Sequence, residues 1–336
     1  IKLVSAVEKT KLDQLPGIKK VYKNWEQQYA FINDMLGTPK NIAMQFSPKN
    51  NIPYISIVDA GTIDIIRGYG HTIVSSADLV QAFEAIIDEK GFELHMSAGK
   101  KIDKIRAEAF EEIKRCITHN INLTEYELQQ FIVKKFEENG LTCDNHYPIV
   151  GVNEHPADPH FEPTPQNSYI MKPGDTVLID LWAKEKVEKG IYYDITWCGF
   201  IGNNPPQKYV EIFNIVKQAR DAAVDFVQTK FSKGEICYGW EVDDAARNVI
   251  KKAGYGEYFV HRTGHSIGEE VHGNGVNIDN FETKDTRELV PGICYSVEPG
   301  IYLEGEMAVR LELNMFITHD NKAIFTGERQ TELVLI

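Results

Sequence analysis

The sequence predicts an α+β protein whose larger part consists of two similarly ordered halves, set behind a smaller α/β segment. Three observations carry this expectation. Residues 1–85 alternate short apolar runs with polar, helix-forming stretches. From Ser76 onward the order helix, helix, strands occurs twice, without evident sequence identity between the two passes. Acidic residues recur inside apolar, strand-like runs of the second part, where carboxylates are uncommon. The expected division is 1–85 for the first domain and 86–336 for the second; 336 residues exceed the usual size of one domain.

In the first segment IKLVSAV, IKKVY, NIAMQF and HTIVS read as strands, with WEQQYAFINDML and IPYISIVDAGTIDIIRG helical between them. Asp59 and His71 stand apart from other reactive residues and read as surface or hydrogen-bonding groups. The next part is helical through ADLVQAFEAIIDEK and a long amphipathic run to Ile117. Thr124 and Glu127 form a capping box that starts another helix, and Gly140 stops it. Extended segments follow: HYPIVGVN, DTVLIDLWAK and IYYDITWCGFIG, the last two joined by a hairpin through KEKVEKG.

The second pass opens at Pro205-Pro206 with a helix to about Lys230, and WEVDDAARNVIKKAG gives its companion, ending at Gly254. YFVHRTG, ICYSVEPGIY, MAVRLELNMFI, KAIFTG and TELVLI are the expected strands.

A net charge of −13, spread along the chain, argues against nucleic acid as a partner, because phosphate recognition needs clustered Lys and Arg. No apolar run reaches 18 residues, so no membrane-spanning helix is expected. Five cysteines at irregular spacing, never CxxC, read as reduced thiols and point to the cytoplasm. The chain begins at Ile1 rather than Met, and the first domain is expected to be incomplete.

Asp180 ends the apolar run TVLID, and Asp194 stands between apolar neighbours on the next strand. One buried Asp is ordinarily a hydrogen-bonding residue; two on adjacent strands favour a cation site. Glu298 in SVEPG and Glu312 in VRLELN repeat the pattern, and each alone could pair with Arg310. Four carboxylates cannot stay charged together in a low-dielectric site without a compensating cation. His265 adds an imidazole nitrogen. Such an oxygen-rich set suits two divalent ions, Mn²⁺ first, with Co²⁺, Zn²⁺ or Fe²⁺ as substitutes. Two ions roughly 3.5–4 Å apart bind a bridging water, acidify it and polarise a scissile carbonyl. His160, His261, His272 and Arg310 are the candidates for a surrounding shell; His261, His265 and His272 fall within a glycine-rich stretch where imidazoles can converge.

These residues resemble the pita-bread metallopeptidases, the family of methionine aminopeptidase, Xaa-Pro aminopeptidase and prolidase, over roughly residues 85 to 336. Asp180, Asp194, His265, Glu298 and Glu312 fall in order on the family's five metal-ligand positions. The resemblance implies a pita-bread catalytic domain with pseudo-twofold halves, preceded by a small N-terminal α/β domain. HRTGHSIG, with His261 four residues before His265, and VRLE, with Arg310 two before Glu312, resemble the Xaa-Pro aminopeptidase and prolidase branch. By the same matching His160 and His272 resemble the histidines that hold substrate and steady the tetrahedral intermediate, and Tyr302 resembles a residue of the same site.

The implied activity is metal-dependent hydrolysis of an N-terminal Xaa-Pro bond in peptides or dipeptides, with Glu298 shuttling a proton. A homodimer is also implied. Three departures bear on substrate range: Trp182 where the family commonly has glycine, Trp197 in place of arginine, and Gly273 in place of glutamate. The alternatives are a metal-free C–N hydrolase of the creatinase kind, which predicts loss of the carboxylates, and a non-catalytic pita-bread binding module, which typically lacks the ligands.

Overall fold

The computed structural model describes residues 1–336 and divides into two compact units, Ile1–Ala77 and Asp78–Ile336. In the first unit β1 (Lys2–Ser5) pairs in parallel with β2 (Lys19–Tyr22), and α1 covers Trp25–Leu36. β3 (Asn41–Met44) pairs in parallel with β4 (Thr72–Ser75), and α2 spans Ala60–Gly68 between them. Ile63 and Ile66 of α2 and Ile73 of β4 form its small apolar core.

The helix expected over 52–68 exists only in its second half. Pro53 starts a single 3₁₀ turn, Pro53–Ile55, and the chain stays irregular until Asp59. The Asp59 carboxylate accepts from the Thr62 amide at 2.9 Å and so fixes the helix start. His71 accepts from the Lys40 amide at 3.2 Å, a hydrogen-bonding role as expected.

The second unit begins one residue into α3 (Ala77–Glu84) and continues with α4 (Glu89–Thr118). Asp88 caps α4 by accepting from the Gly91 amide at 2.7 Å, which breaks the helical run into two. Ala98, Ile102, Ile105, Ala109 and Ile113 make a buried stripe at spacings of three and four along α4. α5 (Glu125–Glu138) has the expected capping box: Thr124 Oγ1 accepts from the Glu127 amide at 3.2 Å, and Glu127 Oε2 accepts from the Thr124 amide at 2.8 Å. Removing such a cap costs about 1 kcal/mol. Gly140, at φ +71°, turns the chain out of α5.

The strands of this half are β5 (Leu141–Thr142), β6 (Ile149–Val152), β7 (Thr176–Glu185) and β8 (Tyr193–Phe200). β7 and β8 form the expected hairpin, and β5 and β6 both pair along the other edge of β7. The register sets Asp180 opposite Thr196 and Trp182 opposite Asp194. Cross-strand partners share a face, so these four side chains project together. Ile179, Leu181 and Ile195 project the other way, into a core shared with α4 and α5.

The second half repeats the order. α6 (Gln207–Ser232) begins immediately after Pro206, and α7 covers Gly239–Lys252. β9 (Ser266–Ile267), β10 (Cys294–Val297), β13 (Leu313–Ile317) and β14 (Ala323–Thr326) form one antiparallel sheet in the order β14-β13-β10-β9. β11 (Gly300–Leu303) and β12 (Met307–Arg310) make a separate hairpin, and β15 (Val334–Leu335) returns to pair with β8. This half has its own core, in which α6 and α7 pack on β10, β11 and β13.

YFVHRTG is not a strand. It runs from a 3₁₀ turn at Gly256–Tyr258 into irregular chain. A side chain of α7 replaces the missing strand partner: Arg247 donates to the carbonyls of Phe259 at 3.0 Å and His261 at 2.7 Å. Asp243, one turn earlier, holds Arg247 by two bonds of 2.8 Å and accepts from the Thr263 amide and hydroxyl at 3.0 and 2.6 Å. A fully paired, buried carboxylate–guanidinium couple thus moulds the segment that leads into His265.

Candidate metal centre and substrate cavity

Strand alternation brings Asp180 from β7 and Asp194 from β8 onto one face, and the second half supplies the rest. His265 precedes β9, Glu298 lies between β10 and β11, and Glu312 lies between β12 and β13. One atom from each of Asp194, His265 and Glu312 lies within 4.8 Å of the others, and all three residues are buried. The two halves meet here through main chain as well, where the Glu312 amide donates to the Thr196 carbonyl at 3.1 Å.

His265 Nδ1 donates to the Ser266 carbonyl at 3.2 Å, which leaves Nε2 as the lone-pair nitrogen. Nε2 faces Asp194 Oδ2 at 3.6 Å and Glu298 Oε1 at 3.4 Å. Burial holds His265 below the usual imidazole range, hence neutral. A lone pair therefore points at carboxylate oxygens. Gly264 permits this approach: a Cβ there would stand 1.9 Å from the Ser296 carbonyl oxygen. Ser296 Oγ in turn accepts from the His265 amide at 2.9 Å and donates to Glu298 Oε1 at 3.2 Å.

At this centre three buried carboxylate oxygens have no hydrogen-bond partner: Asp180 Oδ1, Asp194 Oδ1 and Glu312 Oε1. Burial, then the neighbouring Asp180 charge, pushes the Asp194 carboxyl far above its ordinary range. Burial, then Asp194, does the same to Glu312, and burial raises Glu298 to about 6. Crowded buried carboxyl groups with orphaned oxygens, two of them clustered with an imidazole, constitute a donor set that a divalent cation satisfies. The donors fit the metal that the sequence implied.

Asp180 and Glu312 each keep the other oxygen on a protein partner. Arg310 Nη2 donates to Asp180 Oδ2 at 2.5 Å, and Thr196 Oγ1 donates to Glu312 Oε2 at 2.7 Å. Arg310 also donates from Nε to Thr196 Oγ1 at 3.1 Å and from Nη1 to the Tyr302 hydroxyl at 3.1 Å. That hydroxyl donates to His261 Nε2 at 2.7 Å, while His261 Nδ1 donates to the Arg262 carbonyl at 2.6 Å. Burial, then the Arg310 charge, depresses His261 to about 3. His261 is thus neutral with both nitrogens engaged.

The centre opens into a cavity of about 1100 Å³ whose lining includes His160, His261, His272, Arg310 and Trp182. His160 and His272 are exposed, and the His272 ring meets that of His265 edge-on at 4.3 Å. Tyr302 does not line this cavity. It is 4% exposed and borders a second hollow of about 720 Å³, reaching the site only through its hydroxyl. Thr196, Asp243 and Arg247 were not singled out from sequence. Asp243 and Arg247, four apart beside the apolar stripe Val242, Ala246 and Ile250, were the readable signal.

The description "metallopeptidase family M24" matches residues 93–319. The chain belongs to that family. A Xaa-Pro dipeptidase of Lactobacillus helveticus is 31% identical over 229 residues, 68% of this chain and 56% of the relative, so the chain spans little more than half of that protein. Among solved structures, a dipeptidase from Pyrococcus horikoshii aligns with TM-score 0.64 and 27% identity, covering 99% of this chain and 85% of that one. The dipeptidase PepE of Mycobacterium ulcerans aligns with TM-score 0.67 and 25% identity, covering 99% and 83%. The architecture of this M24 member is the pita-bread fold, with the two ordered halves enclosing the acidic centre.

Proposed function

We propose that the protein is a dinuclear-metal-dependent exopeptidase that hydrolyses the N-terminal Xaa-Pro bond of peptides or dipeptides. The observation that carries the reading is the set of partnerless buried oxygens on Asp180, Asp194 and Glu312, the last two clustered with His265. Relatives named Xaa-Pro dipeptidase support the substrate class.

Asp180, Asp194, His265, Glu298 and Glu312 would hold two divalent ions, Mn²⁺ in our assignment, with Co²⁺, Zn²⁺ or Fe²⁺ able to substitute. When bound, such ions supply an activated water and Lewis acidity toward the scissile carbonyl. Glu298 accepts the proton of the attacking water and delivers it to the proline nitrogen as the C–N bond breaks. His272, whose ring meets that of His265 edge-on at 4.3 Å, donates from its imidazole N–H to the developing oxyanion.

His160 reaches the substrate from the cavity wall. With both nitrogens committed, His261 offers ring surface, which suits the apolar pyrrolidine of proline. Arg310 contributes by fixing Asp180, Thr196 and Tyr302 rather than by a free guanidinium. A homodimer and a cytoplasmic location belong to the same proposal; no helix is long and apolar enough to cross a membrane.

The test is a cleavage panel of Xaa-Pro dipeptides, Xaa-Pro tripeptides and Met-Ala peptides, run on chelated protein before and after adding Mn²⁺. Restored cleavage confined to Xaa-Pro substrates supports the reading. Cleavage of Met-Ala peptides alone, or none with any first-row divalent ion, refutes it.

A further inference from the structure

We infer that Trp182 limits the size of the substrate's first side chain, an inference that rests on the peptidase reading above. Trp182 lies two residues beyond Asp180 on β7 and directly across the strand pair from Asp194. Its indole therefore stands on the same face as both acids, at a cross-strand separation of roughly 5 Å between Cβ atoms. All three residues line the large cavity. A substrate carbonyl held at the acidic centre has to lie against this ring.

The ring is held by bulk. It packs against the apolar cluster containing Tyr192, Ile267 and Phe316 on one side and against the β7–β8 core on the other. Its Nε1 is buried and has no hydrogen-bond partner, so no polar bond orients it. The wall bearing His261 serves the proline side in our assignment. The indole beside Asp180 and Asp194 then faces the residue before the scissile bond. A whole indole takes up the space beside the acidic centre, which favours small first residues over aromatic ones.

Two measurements separate this inference from the reading on which it rests. The first is the ratio of kcat/KM for Ala-Pro and Phe-Pro with the Mn²⁺-loaded protein. The second is calorimetric binding of free alanine and phenylalanine, which involves no turnover. Trp182→Ala should shift both discriminations toward phenylalanine by at least about tenfold, the range one apolar pocket commands. Trp182→Phe keeps most of the packing and should give a smaller shift in the same direction, so the inference stays testable if the alanine variant does not fold. Unchanged discrimination in a folded variant overturns the inference, whether or not peptides are cleaved. Shifted amino-acid binding without cleavage of any Xaa-Pro peptide supports the inference and counts against the peptidase reading.

Discussion

Asp180 and Arg310 form a buried ion pair, Nη2 to Oδ2 at 2.5 Å, while the other carboxylate oxygen of Asp180 has no partner. One oxygen is thus tied to the protein and the other is left for a cation. Arg310→Ala would strand a buried carboxylate, at a cost of about 3–5 kcal/mol. Arg310→Lys should recover less than half of that, because an ammonium cannot reach Asp180, Thr196 and Tyr302 together. Urea unfolding of the two variants measures both effects.

Tyr302→Phe removes the link between Arg310 and His261. His261 Nε2 then has no donor in the protein. We expect a loss of about 1–3 kcal/mol, read from the urea midpoint. If Tyr302 contributed only apolar bulk, the change would be negligible.

Legibility in the sequence followed the range of the interactions. The capping box of Thr124 and Glu127 was readable because both partners lie within four residues. The β7–β8 hairpin and its aspartates were readable because a carboxylate inside an apolar run is anomalous on its own. YFVHRTG was misread because its aromatic and β-branched residues suit a strand, whereas Arg247 takes its carbonyls from a neighbouring helix. Nothing local announces that substitution. Tyr302 was placed near the site by resemblance, but its position behind Arg310 and His261 depends on the register of the β11–β12 hairpin and its meeting with a distant loop.

Acid stability should report on His95. This residue of α4 is buried between the Tyr192 carbonyl, at 2.6 Å, and Thr326 Oγ1, at 2.8 Å, and burial lowers it to about 4. The unfolded chain takes up the proton near pH 6.5 and the folded chain only near pH 4. Stability present above pH 6.5 is therefore lost as pH falls toward 4, by about 3 kcal/mol from this group. His95→Gln should flatten that part of the stability–pH curve measured by urea unfolding.

Gly264→Ala tests whether close backbone packing sets the His265 position. The added methyl would overlap the Ser296 carbonyl, and backbone cannot swing aside as a flexible side chain can. We expect a loss of several kcal/mol or failure to fold, because overpacking typically costs about 1–3 kcal/mol even where neighbours can relax. A wild-type melting temperature would show that the segment before His265 has slack.

Metal stoichiometry coupled to cleavage bears most directly on the dinuclear reading. Chelated protein is titrated with Mn²⁺ while bound metal and Xaa-Pro hydrolysis are followed together. The expected result is two ions per chain, with hydrolysis rising as the sites fill and both lost in Asp194→Ala. Hydrolysis by the fully chelated protein, or no binding of any first-row divalent ion by the folded chain, would contradict it.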